Sequence, residues 1–273
     1  MLILAATPIG NLGDASARLK EVLGEAKYIA AEDTRSLLKL ASMLGIKLNA
    51  KLFSLHEHNE LERIEQILEI AQTEDVVVVS DAGMPTVSDP GFALVRAAVQ
   101  AGLAVTVIPG PSAVLAALSV SGLATDRFTF EGFLPRKGSE RRKVFKALAS
   151  ESRTMIFFES PHRILESLED AATVFGGERL ATVSRELTKK FEHTERGSLA
   201  DLIDWAKGEP KGEMVLVISG AEPVEAHAGD VVALVNQLVE AGEKLKPAVA
   251  SIAEFHNVSK SELYQLVLDS RKA

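Results

Sequence analysis

Two loops and three charged clusters hold most of the side chains able to do chemistry. Ser80-Asp81-Ala82-Gly83-Met84-Pro85-Thr86-Val87-Ser88-Asp89-Pro90-Gly91 places two Asp, two Gly, two Pro and two Ser in twelve residues. Such a stretch is rigid and polar, and it offers backbone amides to a polar ligand. Pro109-Gly110-Pro111-Ser112-Ala113 suits close approach of the backbone to a bound molecule, or a plain strand-to-helix turn. Glu32-Asp33-Thr34-Arg35, Glu159-Ser160-Pro161-His162-Arg163 and Arg185-Glu186 set carboxylates beside arginines. Each pairing is either a proton-handling group next to an anion-steering cation, or a structural ion pair at a strand end.

These segments share an address. Leu2–Ala6, Tyr28–Ala31, Val76–Val79 and Ala104–Ile108 are short apolar runs without alternation, the pattern of strands buried on both faces. Between them lie helical stretches at Ala15–Leu23 and Phe92–Gln100, and a stripe of Leu61, Ile64, Leu68 and Ala71 at three-to-four spacing. The pattern predicts an α/β fold with a mostly parallel N-terminal sheet over residues 1–122. A second α/β domain is expected over 123–222, from strands at Phe128–Glu131, Thr154–Phe158, Leu180–Val183 and Met214–Ile218. Helices near Arg141–Leu148, Arg163–Val174 and Leu199–Trp205 accompany them. The Gly220–Gly229 stretch reads as a linker, and 227–273 as a small helical extension covering Asp230–Ala241 and Pro247–Lys272. Every chemically equipped loop follows a strand's carboxyl end, where open α/β sheets bind ligands. Pro90 suits a first helical turn, with Ser88 or Asp89 as the cap.

Several function classes drop out. The chain has no cysteine, so disulfides and thiolate metal sites are impossible. His56 and His58 are the nearest approach to a metal set, and no metal is expected. A net charge of −8 argues against non-specific coating of nucleic acid, while leaving room for a locally basic docking surface. The sequence lacks a G-x-G-x-x-G fingerprint, a phosphate loop and a G-x-S-x-G elbow. The opening has no basic region ahead of its apolar residues, and no run is long enough to span a bilayer. The expectation is a cytoplasmic protein without a membrane partner.

Taken in order, seven blocks carry a family resemblance. They are Thr7-Pro8-Ile9-Gly10-Asn11-Leu12-Gly13-Asp14, Ala31-Glu32-Asp33-Thr34-Arg35, the Ser80–Gly91 loop, Ile108-Pro109-Gly110-Pro111-Ser112-Ala113, Glu131-Gly132-Phe133-Leu134-Pro135, Phe158-Glu159-Ser160-Pro161-His162-Arg163 and Ser184-Arg185-Glu186-Leu187-Thr188-Lys189. Over residues 1–220 the chain resembles the tetrapyrrole-methylase family, and within it the branch acting on small-subunit ribosomal RNA. The resemblance implies two α/β domains, usually as a homodimer, with S-adenosylmethionine held between them. It also implies methyl transfer to the 2′-hydroxyl of a cytidine in 16S rRNA, within the assembled small ribosomal subunit. Family binding positions fall on the Thr7–Asp14 turn (Pro8 and Gly10), Asp81, Met84, Ser88, Ser112, Ala113, Phe158 and Glu213.

A ribose hydroxyl is a poor nucleophile, so such a site would gain from a base. The expected catalytic group comprises Glu32, Asp33, Glu159, His162 and Glu186 as proton acceptors, with Arg35, Arg163 and Arg185 steering phosphates. Arg136, Lys137, Arg141, Arg142, Lys143 and Lys146 form a basic run, read as an RNA contact or a solvated helix face. In the tail, Ser259 caps a second helix in an arrangement resembling a helix-turn-helix. Two other readings stand beside this one: a carbon methylase of a corrin or porphyrin precursor, and a non-catalytic ribosome-assembly protein.

Overall fold

The computed structural model describes residues 1–273 except 57, 223–227, 230, 257, 272 and 273. Residues Met1–Gly220 and Ala221–Ala273 form two compact units. The first holds two five-stranded sheets.

The first sheet is wholly parallel, in the order β3-β2-β4-β1-β5. Its strands are β1 (Leu2–Ala5), β2 (Tyr28–Ala31), β3 (Lys51–Ser54), β4 (Val76–Val79) and β5 (Val105–Ile108). Val77 and Val79 of β4 face a core built with Leu19 and Leu23 of α1 (Ala17–Glu25) and Leu37 of α2 (Thr34–Met43). Val76 and Val78 face the opposite core, with Ile67 of α3 (Glu60–Ala71) and Leu94 of α4 (Phe92–Gln100). Four consecutive buried valines are therefore satisfied by helices on both faces, as parallel sheets require.

The second sheet runs β6-β7-β10-β8-β9 and is mixed. Strands β6 (Phe128–Phe133) and β7 (Thr154–Glu159) pair in parallel. The pairings of β10 (Met214–Ile218) with β7 and with β8 (Leu180–Arg185), and of β8 with β9 (His193–Ser198), are antiparallel. Helices α6 (Gly138–Ala147), α7 (Ile164–Phe175) and α8 (Leu199–Ala206) cover one face around Phe145, Phe157 and Leu168. The other face is covered by α5 (Ala113–Ser121), whose Val114, Ala117 and Leu118 pack on Ile156, Val215 and Val217. Although α5 precedes Gly122 and follows a strand of the first sheet, it thus packs on the second.

Ala221–Ala273 contains α9 (Val232–Glu240), α10 (Leu245–Phe255) and α11 (Lys260–Ser270) around Val235, Val249, Leu263 and Val267. The second tail helix begins after Ser259, the cap expected from the sequence, whose hydroxyl accepts from the Glu262 N–H at 3.4 Å. Half of the expected linker, residues 223–227, lies outside the described residues.

Candidate functional site

Strand order determines where the site forms. From β1 the chain passes over β4 to reach β2, and from β4 it passes over β1 to reach β5. Connections leave in opposite directions, so the carboxyl ends of β1 and β4 flank a topological switch point. There Thr7 and Gly83 exchange backbone hydrogen bonds of 2.9 and 3.1 Å, and the Thr7 hydroxyl donates to the Ser80 carbonyl at 3.3 Å.

The loop after β4 is held in an unusual backbone path. Thr86 and Ser88 take φ of 76° and 63°, and Gly83 and Gly91 take 82° and 119°. Left-handed conformations at two non-glycine residues store strain, and strain of this kind gathers at ligand sites. Gly91, with no side chain, occupies the N-cap of α4, so neither Ser88 nor Asp89 serves as the cap expected from the sequence. Both side chains are left free for the loop's concave side. At the next strand end, a Cβ on Gly110 would stand 2.8 Å from the Ala6 Cβ, so the Pro-Gly-Pro turn lies flush against the end of β1.

A cavity of about 380 Å³ opens at this point, a volume suited to a small-molecule ligand. From the first half it takes Ile9, Ala82–Met84, Val87–Asp89 and Ser112–Val114. From the second half come Phe133, Phe158–Pro161, Leu187 and Glu213–Val215. Phe133 and Phe158 meet edge to face at 5.3 Å, making an aromatic wall. Ser112 is the N-cap of α5 but makes no side-chain cap, so the first N–H groups of this helix lie open at the cavity wall.

Of the binding positions expected from the sequence, Met84, Ser88, Ser112, Ala113, Phe158 and Glu213 line this cavity. Pro8 and Gly10 flank Ile9, which lines it in their place. Asp81 is turned to the neighbouring loop: its carboxylate accepts from the Asp33 N–H at 3.2 Å and faces the Ser36 hydroxyl at 3.4 Å.

The expected proton acceptors are mostly engaged elsewhere. Glu32 accepts from the Asp81 N–H at 3.2 Å. Asp33 caps α2 through the Arg35 N–H and binds the Arg35 guanidinium at 2.7 Å; these hydrogen bonds, the side-chain one foremost, hold its carboxyl down at about 2. Glu159 lines the cavity but is fully buried, bound to Arg163 at 2.6 Å, to the Ser167 hydroxyl at 2.6 Å and to the Ser160 N–H at 2.7 Å. His162 is exposed and outside the lining. Arg185 donates to the Lys211 carbonyl at 3.2 Å. Glu186 accepts from Lys189 at 3.1 Å and from the Glu213 N–H at 3.1 Å; partial burial opposes its ionisation, yet these partners leave its pKa lowered.

Asp89 is the titratable group that sequence reasoning missed. It lines the cavity, and burial pushes its carboxyl up to about 6, helped by Glu32 and Asp81 and opposed by a hydrogen bond from the Ser80 hydroxyl. In the sequence, Asp89 ahead of Pro90 and an apolar helix reads as a helix cap, which hid it.

The basic run also divides. Arg141 is 2% exposed, and its guanidinium binds Asp170 at 2.7 Å between α6 and α7. A guanidinium so enclosed presents nothing to solvent, so the RNA contact expected of Arg141 is corrected to an internal ion pair. Arg142 is exposed but shares Asp170 at 2.7 Å, while Arg136, Lys137 and Lys143 face solvent.

Comparison with known proteins agrees with the geometry. The chain matches the Tetrapyrrole (Corrin/Porphyrin) Methylases over residues 1–203. A Mycobacterium tuberculosis protein named ribosomal RNA small subunit methyltransferase I is 46% identical, covering 99% of this chain and 95% of its own length. A Pseudomonas aeruginosa protein of the same name is also 46% identical, covering 98% of this chain and 96% of its own. The solved structure of the methyltransferase CobJ superposes with a TM-score of 0.60 at 21% identity, over 81% of this chain and 94% of that one, a likeness of fold. A strand frame with its loops gathered at one switch point, and near-full-length identity to these relatives, place the chain in the tetrapyrrole methylase family, in its ribosomal RNA small subunit methyltransferase I branch.

Proposed function

We propose that this protein uses S-adenosylmethionine to methylate the 2′-hydroxyl of a cytidine in 16S rRNA, within the small ribosomal subunit. The observation that carries the reading is the cavity itself. Seven segments far apart in the chain converge on it, and its walls differ in chemistry as this donor would demand. The uncapped N-terminus of α5 suits the donor's carboxylate. Met84, Phe133 and Phe158 offer an apolar and aromatic surface for a flat base. When bound, the donor supplies an electrophilic methyl group on a sulfonium. The chain's task is to hold the acceptor oxygen in line with that carbon and to exclude competing water.

The substrate reading draws on the names of the relatives and on two surface features. Phe133 lines the cavity yet is 62% exposed, a position from which it can stack on an extruded base. Arg136, Lys137 and Lys143 follow it closely in the chain and supply cations for phosphates. A homodimer is part of the proposal: Val107 on the edge strand β5, and Leu115 and Val120 on α5, are exposed apolar side chains of the kind a second copy would cover. Among the described residues no helix is long and apolar enough to cross a membrane. We assign the protein to the cytoplasm, where its substrate would be found.

The test uses small subunits from a strain lacking this gene, incubated with the purified protein and isotope-labelled donor. Nucleoside mass analysis is expected to show one labelled 2′-O-methylcytidine per subunit. Label on a base, or none, would overturn the reading.

A further inference from the structure

Three carboxylates line the cavity: Asp89, Glu159 and Glu213. Glu159 is buried and held by Arg163, Ser167 and Ser160, with the Arg163 guanidinium as its counter-charge. Glu213 is held by the Lys189 ammonium at 2.8 Å, and its side chain is 83% exposed. Asp89 has no cationic partner among the described residues. The groups around it are the Ser80 hydroxyl on its own loop, Asp81 on the same loop, and Glu32 from the loop after β2. Its availability has a backbone cause, since Gly91 at φ 119° takes the helix cap and Asp89 is not spent on capping α4.

Resting on the ribose reading above, we propose that Asp89 is the general base that accepts the 2′-hydroxyl proton. In the step, a lone pair on the 2′-oxygen forms the new O–C bond to the methyl carbon. The S–C bond breaks with its electron pair going to sulfur, and the hydroxyl proton passes to an Asp89 carboxylate oxygen. The neutral thioether and the protonated Asp89 then leave no charge unaccounted for. Burial, aided by neighbouring Glu32 and Asp81, raises the proton affinity of Asp89, bringing it nearer to the operating pH where proton acceptance is effective.

The experiment compares wild type, Asp89→Asn and Asp89→Glu on small subunits, with donor affinity measured by calorimetry. In wild type, kcat/KM for the donor, which reports the free enzyme, is expected to rise with pH and level off above about 6. In Asp89→Asn, kcat should fall about 10²- to 10⁴-fold and lose that limb, while donor affinity stays within a few-fold. Asp89→Glu should regain part of the rate together with the limb. Near-normal kcat in Asp89→Asn would overturn the assignment, as would lost donor affinity with kcat unchanged at saturation. A wild-type profile flat between pH 5 and 7 overturns it whatever the variants do. Wild type that modifies no ribose overturns the underlying function as well, which separates the two failures.

Discussion

Removing the Asp170 carboxylate tests how Arg141 is held. Asp170 accepts from both Nε and Nη2 of Arg141 at 2.7 Å, and its other oxygen accepts from Arg142 at 2.7 Å. Arg141 has one further partner, Glu166, at 3.4 Å, and that side chain is 67% exposed. At 2.7 Å and an effective dielectric of about 20, the attraction between Arg141 and Asp170 is about 6 kcal/mol, most of which offsets the desolvation of the two charges. Asp170→Ala removes the attraction and leaves the buried guanidinium, so the expected loss is about 3–5 kcal/mol. For a chain of this size that corresponds to a fall in Tm of about 10 °C, read by calorimetry or near-UV circular dichroism. Nη1 of Arg141 is buried with no partner, so the pair is only partly satisfied. A joint Arg141→Met, Asp170→Leu replacement should therefore melt within a few degrees of wild type. It should also bind the small subunit normally. A loss below about 1 kcal/mol in Asp170→Ala would refute the internal ion pair. Intact melting with lost subunit binding in the double variant would restore Arg141 to the RNA surface.

Gly110→Ala brings a methyl group to 2.8 Å from the Ala6 Cβ, so the turn after β5 must move off β1. Stability should fall by about 1–3 kcal/mol, and calorimetry should show donor affinity weakened at least about tenfold. Asp89 titrates near 6 in the fold against 3.8 unperturbed, so its contribution is fully present below about pH 4 and is lost as pH rises through 6. Asp89→Asn should therefore stabilise the fold at pH 7.5, by about 1 kcal/mol after solvent screening, and leave stability nearly unchanged at pH 4, read as Tm by calorimetry.

The parts of the fold legible in the sequence are those whose burial leaves a composition signature. Val76–Val79 and Met214–Ile218 are buried throughout, and their uninterrupted apolar runs marked them to the residue. Strands β3 and β9 were not marked, because each lies at a sheet edge where Lys51, His193 and Glu195 meet solvent and dilute the signal. Helix α5 escaped for the opposite reason: Ala113–Ser121 is apolar nearly all round and carries little helical periodicity. At the site, Met84, Ser88, Ser112 and Phe158 were expected from the family resemblance, and all four line the cavity at the strand ends. Asp89 was misread as a cap, and Arg141 as a surface cation because its partner is distant in sequence. The cap belongs to Gly91, and the carboxylate that encloses Arg141 lies 29 residues onward.

Helix α5 starts at the last turn of one sheet and lies along the other, with its bare amino end on the cavity. It acts as a shared axle: whatever occupies the cavity seats the tip of a rod whose flank is bolted to the opposite layer. Filling of the cavity and alignment of the two layers are therefore expected to go together.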